Sequence, residues 1–226
     1  MIENYDALIF DCDGVLVNSE EIAQEIELEM LAKVGMHYQR DEYVHKYAGT
    51  SEPEFIAALR SESKKRVGKE LPSKFFDEMM VAIDLAYEDR LQQLEGASAL
   101  ASVWPKFCAV ASSSSMELLM CKLRMVELDG FFSDHIYSAE QVGRGKPHPA
   151  VFLHAAKSLS VDPERCIVIE DSVNGVIAAR RAGMMALGFI GGGHCLKDHR
   201  HMLMDAGADD VFESHAEIEK ILKLAQ

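Results

Sequence analysis

The sequence predicts an α/β protein with a Rossmann-like, doubly wound parallel sheet and a small helical domain inserted after the first strand. Two features predict this fold class. Short apolar runs alternate with amphipathic helical stretches along most of the chain, and one long segment near the start carries helical patterns only. Apolar strands separated by helices are typical of a parallel sheet that is covered on both faces.

Four apolar runs are expected to be strands, because each is too short for a helix and is followed by polar or glycine-containing residues. They are Tyr5–Phe10, Phe107–Ala111, Cys166–Ile169 and Met185–Ile190. Apolar residues at helical spacing predict helices at Met116–Val126 and Ala150–Leu159. A third helix is expected at Asn174–Ala182, where Gly183 would end it.

Residues 17–94 interrupt this alternation. Apolar residues recur every four positions from Ile22 to Val34, and Phe75–Leu91 is amphipathic as well. A helical segment of this length after the first strand indicates an inserted domain. We therefore predict a core domain at 1–16 and 95–226 and a helical domain at 17–94.

The composition indicates a folded, acidic protein. The 226 residues are 48% hydrophobic and carry a net charge of −14, which argues against a general affinity for nucleic acid or anionic membranes. The five cysteines form no Cys-x-x-Cys pair and are expected to be free thiols in a reducing compartment. Because neither a signal peptide nor a membrane-spanning run is recognisable, we expect a cytoplasmic protein.

Acidic residues follow two of the predicted strands. Asp11 and Asp13 come directly after the first strand, and Glu170 and Asp171 come directly after the third. In a parallel sheet the loops beyond the carboxyl ends of the strands form the ligand crevice, so these carboxylates are expected to meet. Such a group of carboxylates favours a hard cation such as Mg²⁺, whose coordination is completed by water and phosphate oxygens.

Two further segments are suited to an anion. Ser112 and Ser113 begin a run of serines after the second predicted strand, where hydroxyl and backbone N–H groups can hold a phosphate. Lys146 is the cation of a tight Gly-Lys-Pro loop. Each of these segments has a simpler structural interpretation, as a helix cap or as surface decoration, and only their combination points to a site.

Four short motifs follow one another along the chain: Phe10–Val17, Val110–Ser112, Gly145–Pro147 and Ile169–Ser172. Together they resemble the motifs of the haloacid dehalogenase-like hydrolase superfamily, in the subfamily that carries a helical cap after the first motif. Each motif alone is moderately specific, and all four in this order are highly specific. The resemblance extends over nearly the whole chain and implies that residues 17–94 are the cap domain.

The resemblance also implies roles for these residues. Asp11 would be the nucleophile that becomes phosphorylated, and Asp13 the general acid and base. Ser112 would hold a phosphoryl oxygen, and Lys146 would balance the clustered negative charge. Mg²⁺ would be bound by Asp11, the backbone carbonyl of Asp13 and Asp171, with Glu170 linked to it less directly. The expected partner is then a small phosphorylated metabolite, and the expected state is a monomer or weak dimer.

Single residues favour one branch of the family over others. Asp13 is the acid that haloacid dehalogenases and phosphonoacetaldehyde hydrolases lack, so a phosphatase or a phosphosugar mutase is expected. Mutases of the β-phosphoglucomutase type usually carry a histidine where this chain has Ala23, which favours hydrolysis. The mutase remains an alternative, and a non-catalytic metabolite-binding module is a third hypothesis.

Two loops complete the prediction. Gly49, Thr50 and Ser51 lie where related proteins place a loop near the substrate, and they would either bind sugar hydroxyls or cap the following helix. The chain is also similar to bacterial phosphatases that act on sugar phosphates such as 6-phosphogluconate. The segment Gly191–Cys195, with His199 and His201 nearby, matches no common zinc pattern and predicts a loop at the rim of the active site.

Overall fold

The computed structural model describes residues 4–50, 52–132 and 134–224, and these divide into two compact units. One unit comprises the described residues up to Asn18 together with those from Leu91 onward. The other unit is Ser19–Arg90. No helix in the described ranges is long and apolar enough to cross a membrane.

The first unit contains a single parallel sheet of six strands in the order β3-β2-β1-β4-β5-β6. The strands are β1 Ala7–Phe10, β2 Phe107–Ser112, β3 Ile136–Ser138, β4 Cys166–Glu170, β5 Met185–Phe189 and β6 Asp210–Phe212. The predicted parallel sheet is therefore confirmed. The prediction missed β3 and β6 because each is three residues long, too short to form a recognisable apolar run.

Helices cover both faces of this sheet. They are α5 Ala97–Val103, α6 Met116–Met125, α7 Asp129–Phe132, α8 Ala150–Leu159, α9 Val173–Arg181, α10 His199–Asp205 and α11 His215–Leu224, with single 3₁₀ turns at Ala139–Val142 and Pro163–Arg165. One apolar cluster joins Phe10 of β1 to α5, α6, α7 and α11, and a second joins Ile9 to α8, α9 and α10. Alternate residues of each strand thus face different helices, which is why the strands are apolar throughout.

The strand register brings the ends of three strands together. Phe10, the last residue of β1, pairs with Val110 of β2 on one side and with Ile169 of β4 on the other. The residues that follow each of these positions therefore lie at the same edge of the sheet. The strands β2 and β3 lie on one side of β1, and β4, β5 and β6 lie on the other side. The edge at the end of β1 is therefore the topological switch point of the fold.

The second unit is helical in its described residues, with α1 Ser19–Lys33, α2 Arg40–Tyr47, α3 Glu52–Arg66 and α4 Phe75–Arg90. Aromatic side chains hold its centre together. The rings of Tyr38, Tyr43 and Tyr47 lie with centroids 5.0 to 5.9 Å apart, and Phe55 meets Tyr47 edge-on at 5.5 Å. Such edge-to-face contacts are a favourable arrangement for aromatic rings.

The boundaries between the units differ from the predicted 1–16, 17–94 and 95–226, because the two chain crossings pair with each other. The backbone N–H of Asn18 donates to the carbonyl of Gln92 at 3.1 Å, and the N–H of Leu94 donates to the carbonyl of Leu16 at 2.8 Å. The Asn18 side chain accepts from the N–H of Gln92 at 2.8 Å. This short antiparallel contact belongs to the unit with the sheet, so the helical unit begins later and ends earlier than the apolar pattern indicates.

Candidate active site

The polar site lies at the switch-point edge of the sheet. Asp11 follows β1, Ser112 ends β2, and Glu170 ends β4, followed by Asp171. Lys146 joins them from the loop before α8. The strand register therefore gathers four of the residues that the motifs single out, although they are far apart along the chain.

Lys146 is the centre of the charge network. Its ammonium lies 2.7 Å from Asp11 Oδ1 and 2.8 Å from Glu170 Oε2, and its side chain is only 4% exposed. Its ammonium also lies 4.9 Å from the centre of the Phe152 ring. The negative face of an aromatic ring attracts a cation at this distance. One cation is thus shared between two buried carboxylates.

Burial and mutual repulsion change the protonation of this group. Burial and the neighbouring Glu170 charge raise the pKa of Asp11 to about 7, although Lys146 acts in the opposite direction. Burial by itself would lower the pKa of Lys146, but the Asp11 and Glu170 carboxylates outweigh it and raise that pKa. Lys146 is therefore a permanent cation, and the carboxylates hold more negative charge than it neutralises.

Glu170 is held rigidly from two directions. Its Oε1 accepts from the Ser172 N–H at 3.1 Å and from the Ser172 hydroxyl at 2.7 Å, and its Oε2 accepts from Lys146. A Cβ on Gly175 would lie 1.9 Å from the carboxyl carbon of Glu170, so glycine is required there. Ser172 also caps α9 by accepting from the Gly175 N–H at 3.0 Å. Both Glu170 oxygens consequently have hydrogen-bond partners, which fix the orientation of this carboxylate.

Asp11, Glu170 and Asp171 form a group suited to a hard cation. One carboxylate oxygen from each lies within 4.8 Å of the others, and all three residues are buried. The Lys146 ammonium, 2.7 Å from Asp11 Oδ1, is the cation that these carboxylates share. Oxygen donors with excess negative charge fit a divalent cation such as Mg²⁺.

Asp13 has two neighbours that the sequence does not indicate. Lys122 Nζ lies 2.5 Å from Asp13 Oδ1, and the Ser114 hydroxyl donates to Asp13 Oδ2 at 2.9 Å. Lys122 is buried on the same side of α6 as Leu119 and Leu123. In the sequence it looks like an ordinary helical lysine, and only its spacing within an apolar face could have identified it.

The serine run has several roles. The Ser112 hydroxyl accepts from the Ser114 N–H at 3.0 Å and lies 3.5 Å from Asp13 Oδ2, so Ser112 belongs to the site. Ser113 is exposed and makes none of these contacts. Ser115 caps α6 by accepting from the Leu118 N–H at 3.3 Å. Ser112 thus lies beside the Asp13 carboxylate, whereas the predicted helix cap is made by Ser115.

The predicted substrate loop belongs to the helical unit. The Thr50 hydroxyl donates to the Tyr47 carbonyl at 2.7 Å, so it closes the end of α2. Gly49 has a positive φ of 74° at the same turn. Ser51 lies outside the described residues.

The glycine-rich loop after β5 enters the site. His194 Nε2 lies 2.7 Å from Asp171 Oδ2, with both side chains buried. Burial alone would lower the pKa of His194, but Asp171 and Cys195 outweigh it and raise that pKa to about 11. His199, at the start of α10, has its Nε2 2.6 Å from the backbone carbonyl of Asp171. The sequence indicated a loop at the rim of the site but not that its histidines meet Asp171.

These residues together provide a buried carboxylate in contact with one lysine, a second carboxylate in contact with another lysine, and a group of oxygen donors suited to a cation. Aligned carboxylates, a lysine and a hard cation are the parts that phosphoryl transfer requires, because that reaction depends on positioning and on neutralising charge.

Comparisons with known proteins match the same elements. The family model for haloacid dehalogenase-like hydrolases matches residues 5–183. The 6-phosphogluconate phosphatase of Escherichia coli K12 is 30% identical over 192 residues, which are 84% of each chain. Hexitol phosphatase B of the same organism is 31% identical over 209 residues, covering 92% of this chain and 93% of that one. A HAD family hydrolase of Deinococcus radiodurans, solved with bound phosphate and sodium, is 33% identical with a TM-score of 0.85, covering 98% of this chain and 96% of the other.

Proposed function

The chain belongs to the haloacid dehalogenase-like hydrolases, and on that premise we propose that it is a Mg²⁺-dependent phosphatase that cleaves small phosphomonoesters, sugar phosphates above all. The observation that carries the proposal is the contact of Lys146 with both Asp11 and Glu170, beside the Asp13 carboxylate. Relatives named as phosphatases of phosphorylated sugars and sugar acids support the substrate class.

The proposed reaction begins at Asp11. Its carboxylate attacks phosphorus in line with the leaving oxygen, while Asp13 donates a proton to that oxygen, and an aspartyl-phosphate forms. Asp13, now a carboxylate, removes a proton from water, and the resulting nucleophile attacks phosphorus. The Asp11–phosphate bond breaks, which releases inorganic phosphate and restores Asp11.

Other residues stabilise charge and orientation during these steps. Lys146 faces Asp11 and remains a cation throughout, so it offsets the negative charge of the transferring group. Ser112 is proposed to hold a phosphoryl oxygen, with Ser113 beside it. Lys122 and Ser114 hold the Asp13 carboxylate from two sides, which limits its rotation.

Asp11, the backbone carbonyl of Asp13 and Asp171 would hold Mg²⁺, with Glu170 behind them. When bound, the ion would supply positive charge against the phosphoryl oxygens and the clustered carboxylates. In its absence the group has one ammonium from Lys146 against the Asp11 and Glu170 carboxylates, which is the reason that a divalent cation fits.

The helical unit is proposed to be the cap of the family and to determine which ester is cleaved. Gly49, Thr50 and Ser51 stay proposed, from the resemblance alone, as residues that bind substrate. Ala23 in α1 favours hydrolysis over phosphate transfer between sugar positions, since mutases of the β-phosphoglucomutase type usually have histidine there.

A panel of phosphorylated metabolites, assayed for phosphate release with Mg²⁺ and with a chelator, tests the proposal. Asp11→Asn is expected to lower release by at least about a thousandfold, because it removes the nucleophile while keeping its shape. Asp205→Asn is the matched control, since Asp205 is an exposed aspartate on α10. Undiminished release by Asp11→Asn would contradict the aspartyl-phosphate mechanism. Isomerisation of a sugar 1-phosphate without free phosphate would favour a mutase.

A further inference from the structure

The loop that follows β5 contacts Asp171 through two buried histidines. His194 Nε2 lies 2.7 Å from the Asp171 carboxylate oxygen Oδ2. His199 Nε2 lies 2.6 Å from the Asp171 backbone carbonyl. The side chain and the backbone of one residue are therefore held by two imidazoles from the same short segment.

Each contact requires the histidine to donate its proton from Nε2. A carbonyl oxygen has no proton, so His199 must carry one on Nε2. An ionised carboxylate is likewise an acceptor, so His194 donates to Asp171 Oδ2. The Nδ1 atoms of both rings are buried and have no hydrogen-bond partner in the described part of the chain. His194 Nε2 also lies 3.4 Å from Cys195 Sγ, and its shorter contact, like that of His199, is with Asp171.

The backbone at Gly14 leaves room for the contact between His194 and Asp171. Gly14 has a φ of 73°, and a Cβ at this position would lie 2.0 Å from Asp171 Oδ2 and 2.7 Å from His194 Cε1. Any other residue would push either the carboxylate or the imidazole away. The glycine of the first motif therefore leaves space for the pair formed by His194 and Asp171.

We propose that His194 and His199 are positioning residues that orient Asp171 for the divalent cation. With Oδ2 bound to an imidazole N–H, the carboxylate cannot rotate freely and presents Oδ1 in one direction. Partners of this kind behind a metal ligand typically change metal affinity by about 10- to 100-fold. The inference rests on the proposed function, because it takes Asp171 as a ligand of the ion.

Cation affinity, measured directly on the full chain, tests this role. Mn²⁺ binding is followed by the loss of the free-ion EPR signal, which needs no turnover, and the Mg²⁺ dependence of phosphate release is measured beside it. His194→Leu removes the donor, whereas His194→Gln keeps an N–H at a similar distance from the backbone. His201→Asn is the control, because His201 is an exposed histidine of the same helix start.

The expected result is a graded loss of affinity. His194→Leu should raise the Mn²⁺ dissociation constant and the half-saturating Mg²⁺ concentration by about 10- to 100-fold. Turnover at saturating Mg²⁺ should recover most of the wild-type value. Both values for His194→Gln should lie between those of wild type and His194→Leu, and both values for His201→Asn should equal those of wild type. Because His194→Gln keeps a polar donor, it also covers the case in which the leucine variant fails to fold.

Two results would overturn the inference. One is unchanged Mn²⁺ affinity in a folded His194→Leu protein. The other is tight Zn²⁺ binding by wild type that is lost in this variant while Mn²⁺ affinity stays the same, since His194, Cys195 and His199 place donor atoms within 4.8 Å of one another. Either result can occur while the wild type still releases phosphate with Mg²⁺, so failure of the positioning role is distinguishable from failure of the phosphatase proposal.

Discussion

Lys146 shows how a buried ion network is balanced at the level of single residues. Burying an ammonium costs several kcal/mol unless its charge is compensated nearby. Here Asp11 and Glu170 both lie within 3 Å of Nζ, at 2.7 and 2.8 Å. The two carboxylates in turn depend on this cation, because the Lys146 ammonium contacts both of them and offsets their mutual repulsion.

Replacing this cation tests that dependence. Lys146→Met should lower the free energy of unfolding of the metal-free protein by about 3–5 kcal/mol at pH 8, because it leaves two buried carboxylates without their counter-ion. The loss should be smaller at pH 5, where the raised pKa of Asp11, about 7, lets that group take up a proton. Urea unfolding in a chelator measures the difference, and phosphate release should be lost.

Lys157→Met provides the comparison for this variant, since Lys157 is an exposed lysine on α8. It is expected to change the free energy of unfolding by less than about 0.5 kcal/mol. Equal stability of Lys146→Met and wild type at pH 8 would mean that the ammonium is not needed to hold Asp11 and Glu170 together.

The packing of α1 on α2 contains a second perturbed carboxyl group. The Tyr43 hydroxyl donates to Glu27 Oε2 at 2.9 Å. Burial raises the pKa of Glu27 to about 7, and it outweighs the opposite effect of the Tyr43 hydrogen bond. The contact between these two helices should therefore depend on pH.

The direction of this dependence follows from proton binding. Folded protein keeps the Glu27 proton up to about pH 7, whereas unfolded chain loses it near its ordinary value of 4.5. The contribution to stability is complete below pH 4.5 and is lost as the pH rises to about 7. The unfolding free energy of wild type minus that of Glu27→Gln should therefore fall by about 3 kcal/mol between pH 4.5 and 8.

Urea unfolding at several pH values, followed by circular dichroism, measures this difference. Glu29→Gln is the matched variant, since Glu29 is exposed on the same helix. The free energy of unfolding of this variant should stay within about 0.5 kcal/mol of wild type at each pH value. A constant difference for Glu27→Gln as well would show that Glu27 ionises equally in folded and unfolded chains.

The division into two units makes a prediction for the whole molecule. Asn18 and Gln92 are joined by a backbone hydrogen bond of 3.1 Å and a side-chain hydrogen bond of 2.8 Å within the unit that contains the sheet. Replacing Ser19–Arg90 by Asn-Gly leaves three residues, the last of them Leu91, between Asn18 and Gln92. The chain should therefore close with little strain, since three-residue loops that contain glycine are common in hairpins. The shortened protein is expected to fold and to cleave p-nitrophenyl phosphate.

The shortened protein is expected to discriminate less between sugar phosphates, although it still cleaves p-nitrophenyl phosphate. If the helical unit determines substrate selectivity, the kcat/KM for a good sugar phosphate divided by that for a poor one should decrease by about tenfold or more in the shortened protein. Circular dichroism and size exclusion would establish folding before the kinetic comparison. An unchanged ratio would assign selectivity to the unit that contains the sheet, and the absence of a cooperative unfolding transition would show that this unit needs Ser19–Arg90 to fold.

The longer elements could be predicted because their patterns are local. Ala150–Leu159 has the predicted bounds. The helix predicted at Met116–Val126 ends one residue earlier, and the helix predicted at Asn174–Ala182 begins and ends one residue earlier. The edge strands β3 and β6 could not be predicted, since three residues carry no periodicity and become strands by pairing with a neighbour.

The sequence by itself determined the parallel α/β fold, and it predicted a helical insertion and a group of site residues: Asp11, Asp13, Lys146, Glu170 and Asp171. It could do so because apolar periodicity and short motifs are properties of neighbouring residues. Only the tertiary structure decided that Lys122 faces Asp13 and that His194 and His199 face Asp171. Those contacts join residues that are distant along the chain, and strand register and helix packing, not local sequence, set which side chains meet.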